Sequence, residues 1–487
     1  MSGHVGDDFH RSAAPPLRCS HTGLLPSPSL SGRSGASSSS PWRPPPAGAP
    51  DRPASPGATG TPRCRHADRQ GGSGRMKVLI VGAGQQGHVI TWNLGRNPAV
   101  SEIVVGDYDE ARAKWVAEQV GNGKARAIFI DASDTDMVAE AAQGAKLVVN
   151  AVIPEYNMSV MRACLAAGAN YLDMASGQTR TKTIDEAFLE QLTLADDFAR
   201  AGLTALLSTG MDPGVTNTFA SIGYQDLDAC HEIRIKDYAI FDSPVPLQVW
   251  SQETYYTDCA QPPLIYEDGE FKREEIFGRR EKYMFPEPFG LGTVICHDHE
   301  EVSTLPRMLP KKYGEKGLRY VDFKMGGPEE GIDYDYAIVS SGVTSKYPVK
   351  LKDGTEVRPI DVFVALLPPN PPAEEIQKLA LEGKITDTGV ITVDCIGEKR
   401  GKPARITFNI FPPDIKQVNQ WIPGATCVSY GTSTPASIYA EFIVEDRITD
   451  RGLLVPEILP REVQDAFCAE CVKRNMPITR TDTTHLD

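Results

Sequence analysis

Gly82-Ala83-Gly84-Gln85-Gln86-Gly87 follows directly on the apolar run Val78-Leu79-Ile80-Val81 and opens a stretch in which Val89, Ile90, Trp92 and Leu94 recur at helical spacing. Few folds admit that order. In a strand, turn and helix of this kind the first glycine makes the tight turn and the second lets the backbone approach a pyrophosphate. The third lets the helix pack closely, and the helix N-terminus offers unpaired N–H groups. We therefore expect Gly82, Gly84, Gln85, Gln86 and Gly87 to hold the diphosphate of a dinucleotide; a glycine turn with no ligand is the bland alternative. Asp107 lies 20 residues beyond Gly87, at the end of the next strand-like run. There a carboxylate meets the adenosine ribose hydroxyls and repels a 2′-phosphate, so NAD is expected in preference to NADP. The nearest basic residue, Arg112, is five positions further on.

Strand-like and helix-like segments then alternate as far as Thr204 to Ser208, with strands ending at Asp131 and at Asn150-Ala151-Val152-Ile153-Pro154 and a long helix from Ile184 to Ala201. Alternation at this spacing specifies parallel βαβ units, hence an α/β fold with an N-terminal Rossmann domain. Ligands in such sheets sit beyond the carboxyl ends of the strands. That places Ala151 and Ile153 beside the nicotinamide ribose, and Asp131 either at the adenine edge or as a simple helix cap. Past residue 225 the pattern turns strand-rich, with Glu232 to Tyr238, Val321 to Lys324, Asp335 to Ser340, Asp361 to Leu366, Gly389 to Ile396 and Ala404 to Ile410 as candidate strands. The expected domains are a Rossmann domain over 76–224, an α+β substrate and dimerisation domain over 225–430, and C-terminal helices over 431–487 that pack back on the first. Residues 1–75, rich in Ser, Pro, Gly and Arg, are expected to be a disordered tail.

Of the net charge of −14, that tail carries +5 from nine Arg and four Asp, and the remaining 412 residues carry −19. Phosphate repulsion makes nucleic acid and anionic membrane poor partners for the acidic part, and a small molecule the better one. No apolar run reaches the ~18 residues of a membrane span, and no continuous apolar segment follows the first basic residues. A cytoplasmic protein with ten scattered, reduced cysteines is the expectation. Cys468-Ala469-Glu470-Cys471 is a lone pair without a second ligand pair, so no metal is expected.

Thr209-Gly210-Met211-Asp212-Pro213-Gly214 starts another helix, where Asp212 either caps it or faces the substrate. This turn and the Gly82 to Gly87 loop are joined by Trp250-Ser251 with Glu253 and Tyr256, by Glu301-Val302-Ser303-Thr304-Leu305-Pro306, and by Pro435-Ala436-Ser437 leading to Val455-Pro456-Glu457. Over roughly residues 76–477, in this order, the sequence resembles the saccharopine dehydrogenase family, in particular its saccharopine reductase and L-lysine 6-dehydrogenase branch. The resemblance implies an NAD(P)-dependent enzyme working on a carbon–nitrogen bond of an amino acid, with a lysine-derived substrate favoured, and a homodimer. The stretches Asp258 to Tyr283 and Gly314 to Asp335 depart from saccharopine reductases, so the substrate does not carry over.

Hydride leaves an amine-bearing carbon only when nitrogen offers a lone pair, and a free alkyl amine has a pKa of about 10.4, so an acid–base group is needed. The iminium that develops calls for a fixed carboxylate. Asp212 and Glu253 are the acidic candidates, and His297 or His299, flanking Asp298, the proton relay. Trp250 and Tyr256 are candidate walls of a substrate pocket, and Arg234, Arg307 and Arg405 candidate partners of a substrate carboxylate. Two other functions stay open: a semialdehyde dehydrogenase using Cys296 as nucleophile, and an NAD-binding sensor without chemistry.

Overall fold

The computed structural model describes residues 76–484; the tail over 1–75 lies outside them. The first half of the chain runs β1 (Met76–Val81), α1 (Gln85–Arg96), β2 (Val100–Asp107), α2 (Glu110–Val120), β3 (Ala125–Phe129), α3 (Thr135–Ala141), β4 (Ala145–Asn150), α4 (Asn157–Ala167), β5 (Asn170–Asp173), α5 (Ile184–Leu192), α6 (Ala195–Ala201), β6 (Thr204–Leu206) and α7 (Val215–Asp226). It continues with β7 (Ala229–Asp242), α8 (Gln252–Cys259), β8 (Leu264–Glu267), β9 (Glu270–Arg273), β10 (Glu281–Phe285), β11 (Gly290–Cys296), α9 (Glu300–Tyr313), β12 (Tyr320–Gly327) and α10 (Glu329–Ser340). The last part comprises β13 (Val349–Lys350), β14 (Glu356–Val357), α11 (Pro359–Leu366), α12 (Ala373–Leu381), β15 (Thr386–Lys399), β16 (Lys402–Ile410), α13 (Ile415–Val418), α14 (Cys427–Val444), β17 (Gly452–Leu454), α15 (Arg461–Lys473) and β18 (Ile478–Thr484).

Seven parallel strands form the first sheet in the order β17-β6-β5-β4-β1-β2-β3. Val78, Leu79, Ile80 and Val81 are buried on both faces, as a parallel sheet covered by helices requires. The second sheet is mixed, in the order β10-β11-β12-β7-β15-β16-β18, with the β8–β9 hairpin attached to β12. One face of it carries Ile233, Ile235, Val393, Cys395 and Phe408 and packs on α7, where Phe408 stacks with Phe219 at 4.9 Å. This Rossmann-like sheet with a second α+β region is the fold class expected from the sequence.

Three details differ. The helix expected over Ile184 to Ala201 breaks at Thr193, whose hydroxyl donates to the Glu190 carbonyl at 2.6 Å and competes with the helical ladder. Asp335 to Ser340 and Asp361 to Leu366 are helical rather than extended. Their β-branched residues read as strand, but Pro328 followed by Glu329 and Glu330, and Pro359 after Arg358, are helix-start signals that prevail. The chain end contributes strands as well as helices: β17 extends the first sheet and β18 the second, while α14 lies along α1.

Candidate functional site

At the end of β1, Gly82 adopts φ +105°, and its N–H donates to the Gly106 carbonyl at 2.7 Å, which turns the chain across the top of the sheet. A Cβ on Gly87 would stand 1.9 Å from the Gly82 carbonyl oxygen, so only glycine lets α1 approach this closely. A Cβ on Gly84 would meet nothing within 4 Å, and no side chain caps α1 there. An open N-terminus with free backbone in front of it suits a diphosphate. Asp107 braces this cradle: its carboxylate accepts from Ala83 N at 2.6 Å and from Asp109 N at 2.8 Å. Arg112 approaches as well, donating from Nε to the Ala83 carbonyl at 2.9 Å with its guanidinium 4.7 Å from the Trp115 ring. Gln86 is held from behind by the Ser433 hydroxyl of α14. Ala151 and Ile153 are half-buried at the carboxyl end of β4, and Asp131 is exposed, accepting from Ser133 N at 2.9 Å. The residues present fit a dinucleotide.

Further along the same sheet edge, the turn carrying Asp212 is tied to β5 by Thr209, whose N–H donates to the Asp173 carbonyl at 3.1 Å. Asp212 interacts electrostatically with Asp237, His299 and Glu301. His299 is partly exposed and stacks on Phe323 at 3.9 Å, while its Nδ1 pairs with Glu301 Oε2 at 2.5 Å. Glu301 is fully buried, and its other oxygen accepts from the Thr216 hydroxyl at 2.7 Å. Burial opposes charge on His299, but Glu301, Asp212 and Glu300 outweigh it and lift the imidazole to about 10. Burial raises Asp237 to about 7, and burial together with the Asp237 charge pushes Asp212 well above the carboxylate range. The site thus holds an imidazolium beside Glu301, together with two carboxyls, Asp212 and Asp237, that burial biases toward their protonated forms, a set of groups able to pass a proton to and from a ligand.

These groups bear on stability. His299 keeps its proton up to about 10, and buried Glu300 up to about 8, in the folded chain. The unfolded chain releases both at lower pH, so between pH 7 and 9.5 the folded state binds more protons and stability falls as pH rises. A thermal melt of the protein should show a lower midpoint at pH 9.5 than at pH 7.

The sequence candidates are distributed unevenly around this pocket. Asp212 belongs to it. His297 is buried, with Nδ1 3.0 Å from the Asp298 carbonyl and Nε2 3.6 Å from Cys259 Sγ, and burial lowers it to about 3, so the neutral ring is a structural element and His299 takes the exposed place. Glu253 is half-buried in the first turn of α8, and no described contact joins it to Asp212 or His299. Tyr256 packs edge-on to Phe363 at 5.0 Å and donates to Asp335 at 3.3 Å, which fastens α10 and α11 to α8; Trp250 sits at the margin of that cluster. Arg234, Arg307 and Arg405 are paired with Glu232, Asp185 and Asp394 inside the chain. Asp237 was missed, although it continues the inward face of Ile233 and Ile235, where a charge is out of pattern. Among the described residues no cluster of three metal-binding side chains occurs, and no helix is long and apolar enough to cross a membrane.

Comparison with known proteins decides between the families that share such a cradle. The model of the saccharopine dehydrogenase NADP binding domain matches residues 78–206, and that of the saccharopine dehydrogenase C-terminal domain matches residues 210–476. The chain belongs to the saccharopine dehydrogenase family. It is therefore an NAD(P)-dependent oxidoreductase acting on CH–NH or CH–NH2 groups. Among relatives within the family, a carboxynorspermidine synthase of Vibrio cholerae is 28% identical over 309 residues, 60% of this chain and 73% of the relative. A carboxyaminopropylagmatine dehydrogenase of a Synechocystis species is 25% identical over 408 residues, 82% of this chain and 96% of the relative. The fold matches the saccharopine dehydrogenase (L-Glu forming) of Saccharomyces cerevisiae at a TM-score of 0.62 and 14% identity, covering 84% of this chain and all of that one. The homospermidine synthase of Legionella pneumophila, solved with NAD, matches at 0.60 and 13%, covering 84% and 91%.

Burial argues against Cys296 as a nucleophile. It is 2% exposed, and burial, then the Asp322 charge, pushes its thiol up to about 12, where almost no thiolate exists at neutral pH. Cys296→Ser should keep kcat within about threefold of the parent in a steady-state assay; a fall of a thousandfold would restore a thiol route.

Proposed function

We propose that the enzyme forms or cleaves a secondary amine on a polyamine-type substrate, through an imine, with NAD in preference to NADP, acting in the cytoplasm as a homodimer. The observation that carries this is the His299 imidazolium beside Asp212, Asp237 and Glu301 at the carboxyl edge of the first sheet. A bound dinucleotide supplies the hydride. His299 is the group placed to protonate the departing hydroxyl of a carbinolamine and, in reverse, to take a proton back; Glu301 keeps it charged and oriented. Asp212 and Asp237, biased by burial toward their protonated forms, lose that proton more readily when a cation develops beside them, so an iminium and their ionised forms favour each other. A lysine-derived substrate, expected from the sequence, gives way to a polyamine because the two relatives named above carry carboxylated polyamines in their names.

The test is reductive condensation of 1,3-diaminopropane, putrescine, agmatine or lysine with an amino-acid semialdehyde, followed by loss of reduced-cofactor absorbance. A polyamine precursor should turn over at a kcat/KM at least tenfold above lysine; lysine as the best substrate, or no turnover with any of them, would sink the proposal. The cofactor preference rests on Asp107. Asp107→Ser should shift the NAD to NADP ratio of kcat/KM at least tenfold toward NADP, and an unchanged ratio would remove Asp107 from that role.

A further inference from the structure

A second cavity, of about 460 Å³, opens at the seam between α1 and the C-terminal helices. It lies around Trp92 and Arg96 at the far end of α1 from the glycine loop, so it is separate from the cofactor cradle and from His299. Trp92, Trp421 and Tyr430 give it aromatic walls, with Trp421 and Tyr430 5.9 Å apart, and Arg96, Lys473 and Arg474 give it positive charge. Arg474 donates to Glu441, the acidic group of the lining, and Lys473 to Glu470 at 2.7 Å. Among the described residues Arg96 has no carboxylate partner: it donates to the Trp92 carbonyl at 2.9 Å and to the Val120 carbonyl at 3.3 Å, and lies 4.2 Å from the Trp92 ring. The buried Nε1 of Trp92 has no hydrogen-bond partner among the described residues.

The lining carries Arg96, Lys473 and Arg474 against Glu441, and Glu470 and Glu445 stand just outside it as partners of Lys473 and Asn97, which leaves Arg96 as the cation that faces no carboxylate among the described residues. Indole and phenol faces stack planar rings, guanidinium and ammonium groups take phosphate, and a space of about 300–1,000 Å³ is the usual size for a small organic ligand. We propose that this cleft is a regulatory site for a nucleoside phosphate, whose base lies against the Trp421 face and whose phosphates meet Arg96, with Lys473 and Arg474 at the rim.

The seam gives such a ligand a route to the cofactor. Asn93 of α1 donates to Thr434 of α14 at 3.4 Å, Asn97 donates to Glu445 at 3.0 Å, and Ser433 of the same helix donates to the Gln86 carbonyl at 3.1 Å in the glycine loop. Whatever alters the packing of α14 on α1 bears on the cradle, and the coupling is reciprocal.

Calorimetry tests this on the full chain held at saturating NAD, so that the adenosine end of the cofactor site is filled. ADP should bind at one further site, and adenosine or inorganic phosphate alone should bind at least tenfold more weakly. Lys473→Glu, at a side chain that is 68% exposed, should weaken ADP at least tenfold while leaving NAD affinity and turnover in the absence of ADP unchanged; Trp421→Leu should do the same to ADP. Absence of a second event, ADP competing with NAD, unchanged ADP affinity in Lys473→Glu, or inorganic phosphate binding as tightly as ADP would each overturn the proposal, the last reducing the cleft to a general anion patch.

Discussion

His299→Ala is expected to lower kcat/KM by about 10²–10⁴-fold, the usual contribution of a positioned acid–base group, while NAD still binds. The ring is partly exposed and held by a buried carboxylate, so its loss removes the proton donor without opening the core. Glu301→Gln separates the proton-transfer role from a packing role. Removing that charge takes away the largest interaction raising the imidazole above its ordinary value, so its pKa falls from about 10 toward 6.5. If reduction needs the protonated ring, the alkaline limb of the pH–rate profile must move to lower pH in Glu301→Gln. A limb that stays in place would detach His299 from the proton step, whatever happens to kcat.

Gly87→Val is the second large effect, and it acts through geometry. The new Cβ would stand 1.9 Å from the Gly82 carbonyl oxygen and 2.9 Å from its carbon, backbone atoms that cannot swing aside. Helix α1 must move off β1, at an overpacking cost of about 1–3 kcal/mol or more, and the cradle goes with it. Thermal melting should show a lower midpoint and no rise on adding NAD. Gly84→Ala makes the contrast, since its Cβ meets nothing in the protein. The fold should melt as the parent does, yet cofactor affinity should drop at least tenfold because the methyl group occupies the space of the diphosphate.

The two glycines also differ from the proton site in how far the sequence alone can bring their neighbours together. Gly82 to Gly87 and Asp107 are local or joined by adjacent strands, so their spacing along the chain already encodes their meeting, and Ala83 N donates to the Asp107 carboxylate at 2.6 Å. The proton pocket is different. Asp212 follows β6, Asp237 lies in β7, and His299 and Glu301 flank the start of α9; only the docking of the two sheets brings them together. His297 and His299 are two residues apart and chemically identical in the sequence, yet one lies against Cys259 in the core and the other is partly exposed and pairs with Glu301. Tertiary packing likewise turned Tyr256 from a pocket wall into an anchor for Asp335. The helices α10 and α11 were misread because Ile, Val and Tyr dominate them, whereas their N-terminal prolines carried the better signal.

The central claim is reduction at a carbon–nitrogen bond. Its most direct measurement is reductive condensation of a diamine with a semialdehyde using cofactor deuterated at the transferred position, with the product analysed by mass spectrometry and NMR. One deuterium is expected on the carbon that has become bonded to the secondary amine nitrogen. Deuterium on a carbinol carbon, with the aldehyde reduced to an alcohol and no carbon–nitrogen bond formed, would contradict it.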